Sequence, residues 1–169
     1  MKKAVYFLYI TFILLFASNC FAVSAKEALV ALKKFKAKCE VGISLANYNG
    51  ELADAHYEVK EFIESEQAKR NPKVAEHLRD ALASYKIARV IWEMKNISID
   101  GNMVRETDDL WKTFQRPHPE EAEKLLRSIY SDAKKKMVRY AYFPDMLSYI
   151  WGRAEAYIDK AAKLIKTTP

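Results

Sequence analysis

Between residues 71 and 95 the apolar side chains Val74, Leu78, Ala81, Tyr85, Ala88 and Trp92 recur at alternating steps of four and three. An α-helix brings such positions onto one face. A second stripe, Ala83, Ile87, Val90 and Met94, lies on another side. The C-terminal half is therefore apolar around most of its circumference, and other helices are expected to enclose it. Asn71 and Pro72 supply its start, an amide as cap and a proline whose missing N–H is not needed in the first turn. The chain is expected to be organised around this helix.

At the N-terminus Lys2 and Lys3 precede an uncharged apolar run over residues 4–16, then small and polar residues ending Val23-Ser24-Ala25. This is the pattern of a cleavable signal peptide, with cleavage expected before Lys26 and the chain periplasmic or secreted. Two rivals exist. Cys20 as a lipidated cysteine would follow Ala17-Ser18-Asn19, a poor lipobox, and an uncleaved anchor over residues 4–23 would be long enough for roughly 30 Å of hydrocarbon. Only in the anchored case is a membrane a partner.

Removing residues 1–25 takes two lysines and no acid, so the formal charge falls from +6 to +4. That is too low to favour nucleic acid, and export argues against it as well. One cysteine remains, Cys39, so no intramolecular disulfide is possible and helix packing must supply the stability. The remaining 144 residues suffice for a single domain with one core.

Residues 26–41 read as a first helix with Leu29, Leu32, Phe35 and Cys39 on one face and lysines elsewhere. Gly42 is placed to end it, and Ser44 to cap a second helix reaching about residue 65 through Leu45, Tyr48, Leu52, Ala55, Val59, Phe62 and Ile63. One continuous helix over 26–65, or a break at Asn49-Gly50, are the alternatives. The first helix is lysine-rich and the second carries Glu51, Asp54, Glu58, Glu61, Glu64 and Glu66, which favours pairing them antiparallel.

Asp100-Gly101-Asn102 is a turn signature. A short helix over 107–114 is expected to point Leu110, Trp111 and Phe114 inward. Arg116-Pro117-His118-Pro119 is a rigid connector, and Ala122, Leu126, Ile129, Ala133, Met137 and Tyr140 continue a helical stripe. Pro144 opens a closing helix with Leu147, Ile150, Trp151, Ala154, Ile158, Ala161 and Leu164 as its seam. No strand-like run follows the leader. The expected fold is all-α, an antiparallel bundle of about four main helices plus short helical segments.

Three stretches, Gly42-Ile43-Ser44 with Tyr48 and Ala53-Asp54-Ala55, Asn71-Pro72 through Tyr85 to Ile91-Trp92, and Ile150-Trp151, resemble an uncharacterised group of small exported bacterial helical proteins. The resemblance covers most of the chain beyond the leader. It implies a single helical domain with an export signal and carries no activity, cofactor or site residue.

No catalytic, cofactor or metal motif is present. The histidines His56, His77 and His118 form neither an HExxH nor a Glu-x-x-His pair, and no CxxCH haem signature occurs. Cys39 sits on the apolar face with Leu32 and Phe35, where a buried thiol belongs, although Lys36 and Lys38 nearby would lower the pKa of an exposed one. A basic stretch of Lys124, Arg127, Lys134, Lys135, Lys136 and Arg139 reads as a solvated helix face. The unusual feature is the aromatic density of the last third. Trp92, Arg139, Tyr140, Tyr142, Tyr149 and Trp151 are therefore the candidate ligand or partner surface. The expected function is a non-enzymatic exported helical module that binds a protein or an envelope component. The alternative is a small-molecule-binding bundle with an aromatic-lined pocket, favoured if the tyrosines line an internal cavity.

Overall fold

Serine side chains open the first two helices of the computed structural model, which describes residues 23–95, 102–105, 109–116, 119–131 and 136–167. Helix α1 (Ala25–Glu40) starts from Ser24, whose Oγ accepts from the Glu27 N–H while the Glu27 carboxylate accepts from the Ser24 N–H. This reciprocal capping box satisfies two amide groups that the first turn leaves over. Val41 ends α1 and Gly42 follows at φ +91°, a left-handed conformation that costs glycine little. Ser44 then caps α2 (Leu45–Glu64), so the two helices are separate, and Asn49 and Gly50 lie inside α2. Ser65 closes α2 and caps the short α3 (Glu66–Arg70), which no periodicity announced.

Helix α4 (Pro72–Lys95) begins at the expected Asn71-Pro72, and Val74, Leu78, Ala81, Tyr85 and Ala88 are buried. The second stripe is not enclosed as expected. Ala83 and Val90 are exposed and Ile87 and Met94 only partly covered, whereas Ala75, Leu82 and Ile91 enter the core. The cause is the placement of the neighbours: α2 and the closing helix both pack on one arc of α4 and leave the opposite side to water.

The clearest departure from an all-α chain follows. Strand β1 (Met103–Arg105) precedes α5 (Asp109–Gln115) and α6 (Pro119–Leu125), then β2 (Arg127–Ser131) and β3 (Lys136–Tyr142) complete an antiparallel sheet of order β1-β3-β2. The helical stripe expected through Ile129, Met137 and Tyr140 therefore stops at Leu125. Ile129, Tyr130, Val138, Tyr140 and Tyr142 are β-branched or aromatic residues suited to a pleated surface, and the last three alternate with a period of two. Val104 and its partner Ala141 are buried, while the next pair, Met103 and Tyr142, is exposed. A strand face packed on the core and a face toward water produce that alternation.

The closing helix α7 (Phe143–Thr167) follows β3 without a loop, with Pro144 in its first turn and the Phe143 N–H donating to the Asn102 carbonyl at 2.8 Å. Leu147, Ile150, Ala154, Ile158 and Ala161 are buried along the expected seam, and Trp151 and Leu164 are half-buried. Trp111 and Phe114 of α5 are fully buried, as expected. Each large apolar side chain so enclosed contributes about 2 kcal/mol. The expectations for His118, Ala133, Lys134 and Lys135 and for the Asp100-Gly101 part of the turn fall outside the described residues. So do the side chains of Leu110, Ile129, Tyr130 and Lys136, and the leader up to residue 22.

Contacts within two neighbouring pairs of the long helices run in opposite order. Trp92 meets Trp151 and His77 meets Tyr157, so α4 and α7 are antiparallel. Phe35 meets Tyr48, and the Ala25 N–H donates to Gln67 just beyond α2, so α1 and α2 are antiparallel too. The described residues are mostly helical, with one small sheet at the end where α7 begins.

Candidate functional site

Half of the residues named for an aromatic surface, Trp92, Tyr149 and Trp151, are partly buried and pack against the helical core. Ring centroids lie 4.8 Å apart for Phe35 and Tyr48, 4.7 Å for Phe35 and Tyr85, 5.5 Å for Tyr48 and Trp92, and 6.1 Å for Trp92 and Trp151. These rings fill the space between α1, α2, α4 and α7 with edge-to-face contacts. Tyr149 packs on Phe114 at 5.9 Å, and Arg153 donates to the Tyr149 and Tyr157 hydroxyls at 3.3 and 3.0 Å. The Trp151 indole N–H is buried and lies near the Tyr48 hydroxyl without reaching hydrogen-bond geometry.

The other half sits on the sheet rather than at a helix junction. Tyr140 and Tyr142 are on one face of β3, opposite Arg105 and Arg127 in one row and Met103 in the next. Arg139 points to the other face and forms an ion pair with Glu123 of α6. The expected grouping of Arg139 with the two tyrosines is therefore split by the strand's period of two. Arg127 is paired with Asp145 at 2.8 Å, so neither arginine of the expected basic stretch stands as an unpaired charge.

The isolated reactive groups are also accounted for locally. Cys39 is buried, and burial with the Glu40 carboxylate beside it pushes the thiol up to about 12. A thiol held that high carries almost no thiolate at neutral pH. His56 faces α4, its Nε2 lying 3.1 Å from the Lys86 ammonium; burial and then the charges of Lys86 and Lys60 pull its pKa down. It accepts from Lys86 as a neutral ring. Among the described residues no group of three His, Cys, Asp or Glu side chains is placed to hold a metal ion, and no helix is long and apolar enough to cross a membrane.

What the structure does build is an open groove of about 730 Å³ between α1 and α2. Lys26, Val30, Lys34 and Lys38 recur every four residues along α1 and form one wall; Glu51, Asp54 and Glu58 form the wall on α2. Phe35 and Ala55 lie at the floor, and Val30 and Tyr57 stand at the rim, 40% and 61% exposed. Lys38 and Glu51 close one end with an ion pair, whereas Lys26, Lys34, Asp54 and Glu58 make no ion pair among the described residues. A shallower depression around Val41, Gly42 and Asn47 shares Lys38, Glu51 and Asp54 and continues the surface over the α1–α2 turn. In the sequence the lysines and acids of these helices give only a reason for the pair to associate. The missed signal was the four-residue row of Lys26, Val30, Lys34 and Lys38, which mixes an apolar residue into a charged line.

Comparison of this chain with protein-family models, with curated proteins and with solved structures finds no match. The residues themselves must carry the functional reading.

Proposed function

We propose that this chain is an exported, non-enzymatic helical module, its four long helices forming one antiparallel bundle, that binds a helical segment of another protein in the α1–α2 groove. The observation that carries this is the pairing of a lysine wall with an acidic wall on either side of an apolar floor, with Lys26, Lys34, Asp54 and Glu58 making no ion pair among the described residues. An amphipathic helix laid in such a groove buries its apolar stripe on Val30, Phe35, Ala55 and Tyr57. Its acidic edge meets Lys26 and Lys34 and its basic edge meets Asp54 and Glu58. Both sets of charges fix orientation and favour encounter more than they add affinity. Export rests on the leader pattern at residues 1–25. The small-molecule reading loses ground because Trp92 packs on Trp151 and Tyr48, and Tyr149 packs on Phe114, while Tyr140 and Tyr142 lie apart on the sheet.

The test is site-specific photocrosslinking in the chain's own host. A benzoylphenylalanine replacing Tyr57 is expected to yield a discrete protein adduct, and the same residue replacing exposed Val90, outside the groove, none. Adding Lys34→Glu should abolish the adduct. Equal adducts from both positions, or none from either, would reject the groove as the binding surface.

A further inference from the structure

The start of α1 bears on where the leader is removed. Cleavage before Lys26 suits the small residues Val23 and Ala25, but the fold uses all three residues that such a cut discards. Ser24 is the N-cap: its Oγ accepts from the Glu27 N–H, its own N–H donates to the Glu27 carboxylate at 2.7 Å, and its carbonyl accepts from the Ala28 N–H at 3.1 Å. Ala25 is 7% exposed, and its N–H donates to Gln67 of α3. Val23 packs partly buried against the core and lines the end of the groove.

A chain beginning at Lys26 would lose the capping box and the first main-chain bond of α1. It would also place a new ammonium and the Lys26 side chain together on the first turn, where the helix dipole disfavours positive charge. Three residues upstream, Cys20-Phe21-Ala22 offers a second pattern with small residues at the first and third positions before a scissile bond. A cut there keeps every contact described above, because Ser24 remains an amide-linked residue behind Val23.

Resting on the export reading, we propose that the leader is removed between Ala22 and Val23, so that the mature chain begins at Val23. Signal peptidase adds one water across the Ala22–Val23 peptide bond, leaving the Ala22 carboxylate on the leader and the Val23 ammonium on the mature chain. Val23, Ser24 and Ala25 then belong to the folded domain, and the formal charge of the mature chain is still +4 because these three residues are uncharged.

The experiment is the intact mass and N-terminal sequence of the protein recovered from the exported fraction of its host. A chain starting at Val23 is the expected result. A chain starting at Lys26 would overturn the proposal while leaving export intact, and a full-length chain starting at Met1 would overturn the export reading together with it. As a second measurement, chains of residues 23–169 and 26–169 are made directly and melted side by side. The shorter chain should melt several degrees lower, about 4 °C or more for the loss of a cap in a domain of this size. Equal midpoints would remove the physical basis of the proposal.

Discussion

The Tyr48 hydroxyl donates a 3.0 Å hydrogen bond to the main-chain carbonyl of Tyr85, tying α2 to the middle of α4. Both rings pack on Phe35 of α1, so three of the four long helices meet at one polar contact inside an aromatic cluster. Burial pushes the Tyr48 phenol far above its ordinary pKa, with the neighbouring Trp151 N–H acting in the opposite sense. Tyr48→Phe keeps the ring and removes only the hydroxyl, and should cost about 1 kcal/mol in urea denaturation. Tyr48→Ala should cost about 4 kcal/mol, because it also empties the space between Phe35 and Trp92.

Gly42 and Gly50 should respond to alanine with opposite signs. At Gly42 a Cβ would meet no atom within 4 Å, but the φ of +91° strains any other residue, and Gly42→Ala should cost about 1 kcal/mol. Gly50 lies inside α2 where an added Cβ would meet no atom within 4 Å, and Gly50→Ala should stabilise by about 0.5–1 kcal/mol. Thermal midpoints of the two variants check both signs.

Cys39 should make the protein less stable in alkali. Its thiol ionises near the ordinary value of 9.0 in the unfolded chain but only at about 12 when folded. Above pH 9 the unfolded state therefore releases a proton that the folded state keeps, and stability falls as pH rises. At pH 10.5 the loss is about 2 kcal/mol, and Cys39→Ala should abolish this part of the dependence. Below pH 9 the native thiol should react with alkylating reagents only as fast as the domain opens.

At the other end of the scale the α1 cap gives acid sensitivity. Hydrogen bonds from the Ser24 main chain and then its hydroxyl hold the Glu27 carboxyl below its ordinary value. A lowered folded pKa stabilises above the unfolded value of 4.5 and is lost as pH falls through the folded one. Ser24→Ala should cost about 1 kcal/mol at pH 7. The gap between wild type and Ser24→Ala in thermal midpoint should narrow between pH 7 and pH 3.

Helix boundaries were legible where one or two residues decide them. Gly42 with Ser44, Asn71 with Pro72, and Pro144 each act through their own backbone, and each marks the boundary found. The strands were not legible because Ile129, Met137 and Tyr140 also fall at helical spacing, and five- and seven-residue strands leave too few alternations to outvote it. Nor could seams reveal the exposed side of α4, since an apolar stripe does not state whether a neighbour covers it. Trp92 and Trp151 read as a surface pair or a pocket in the sequence, and only their placement against each other and Tyr48 shows them half-buried and packed on the core. The groove needed both α1 and α2: its lysine row and acidic row become a site only when the Gly42 turn sets them side by side.

The groove is tested most directly by native mass spectrometry of the protein purified gently from the exported fraction of its host, alongside Lys34→Glu and Glu58→Lys variants. The predicted result is a complex with a second polypeptide in the wild type and a bare chain in both variants. A single chain carrying a small molecule that leaves on denaturation, unchanged by either substitution, would contradict the account and favour a small-molecule site elsewhere in the domain.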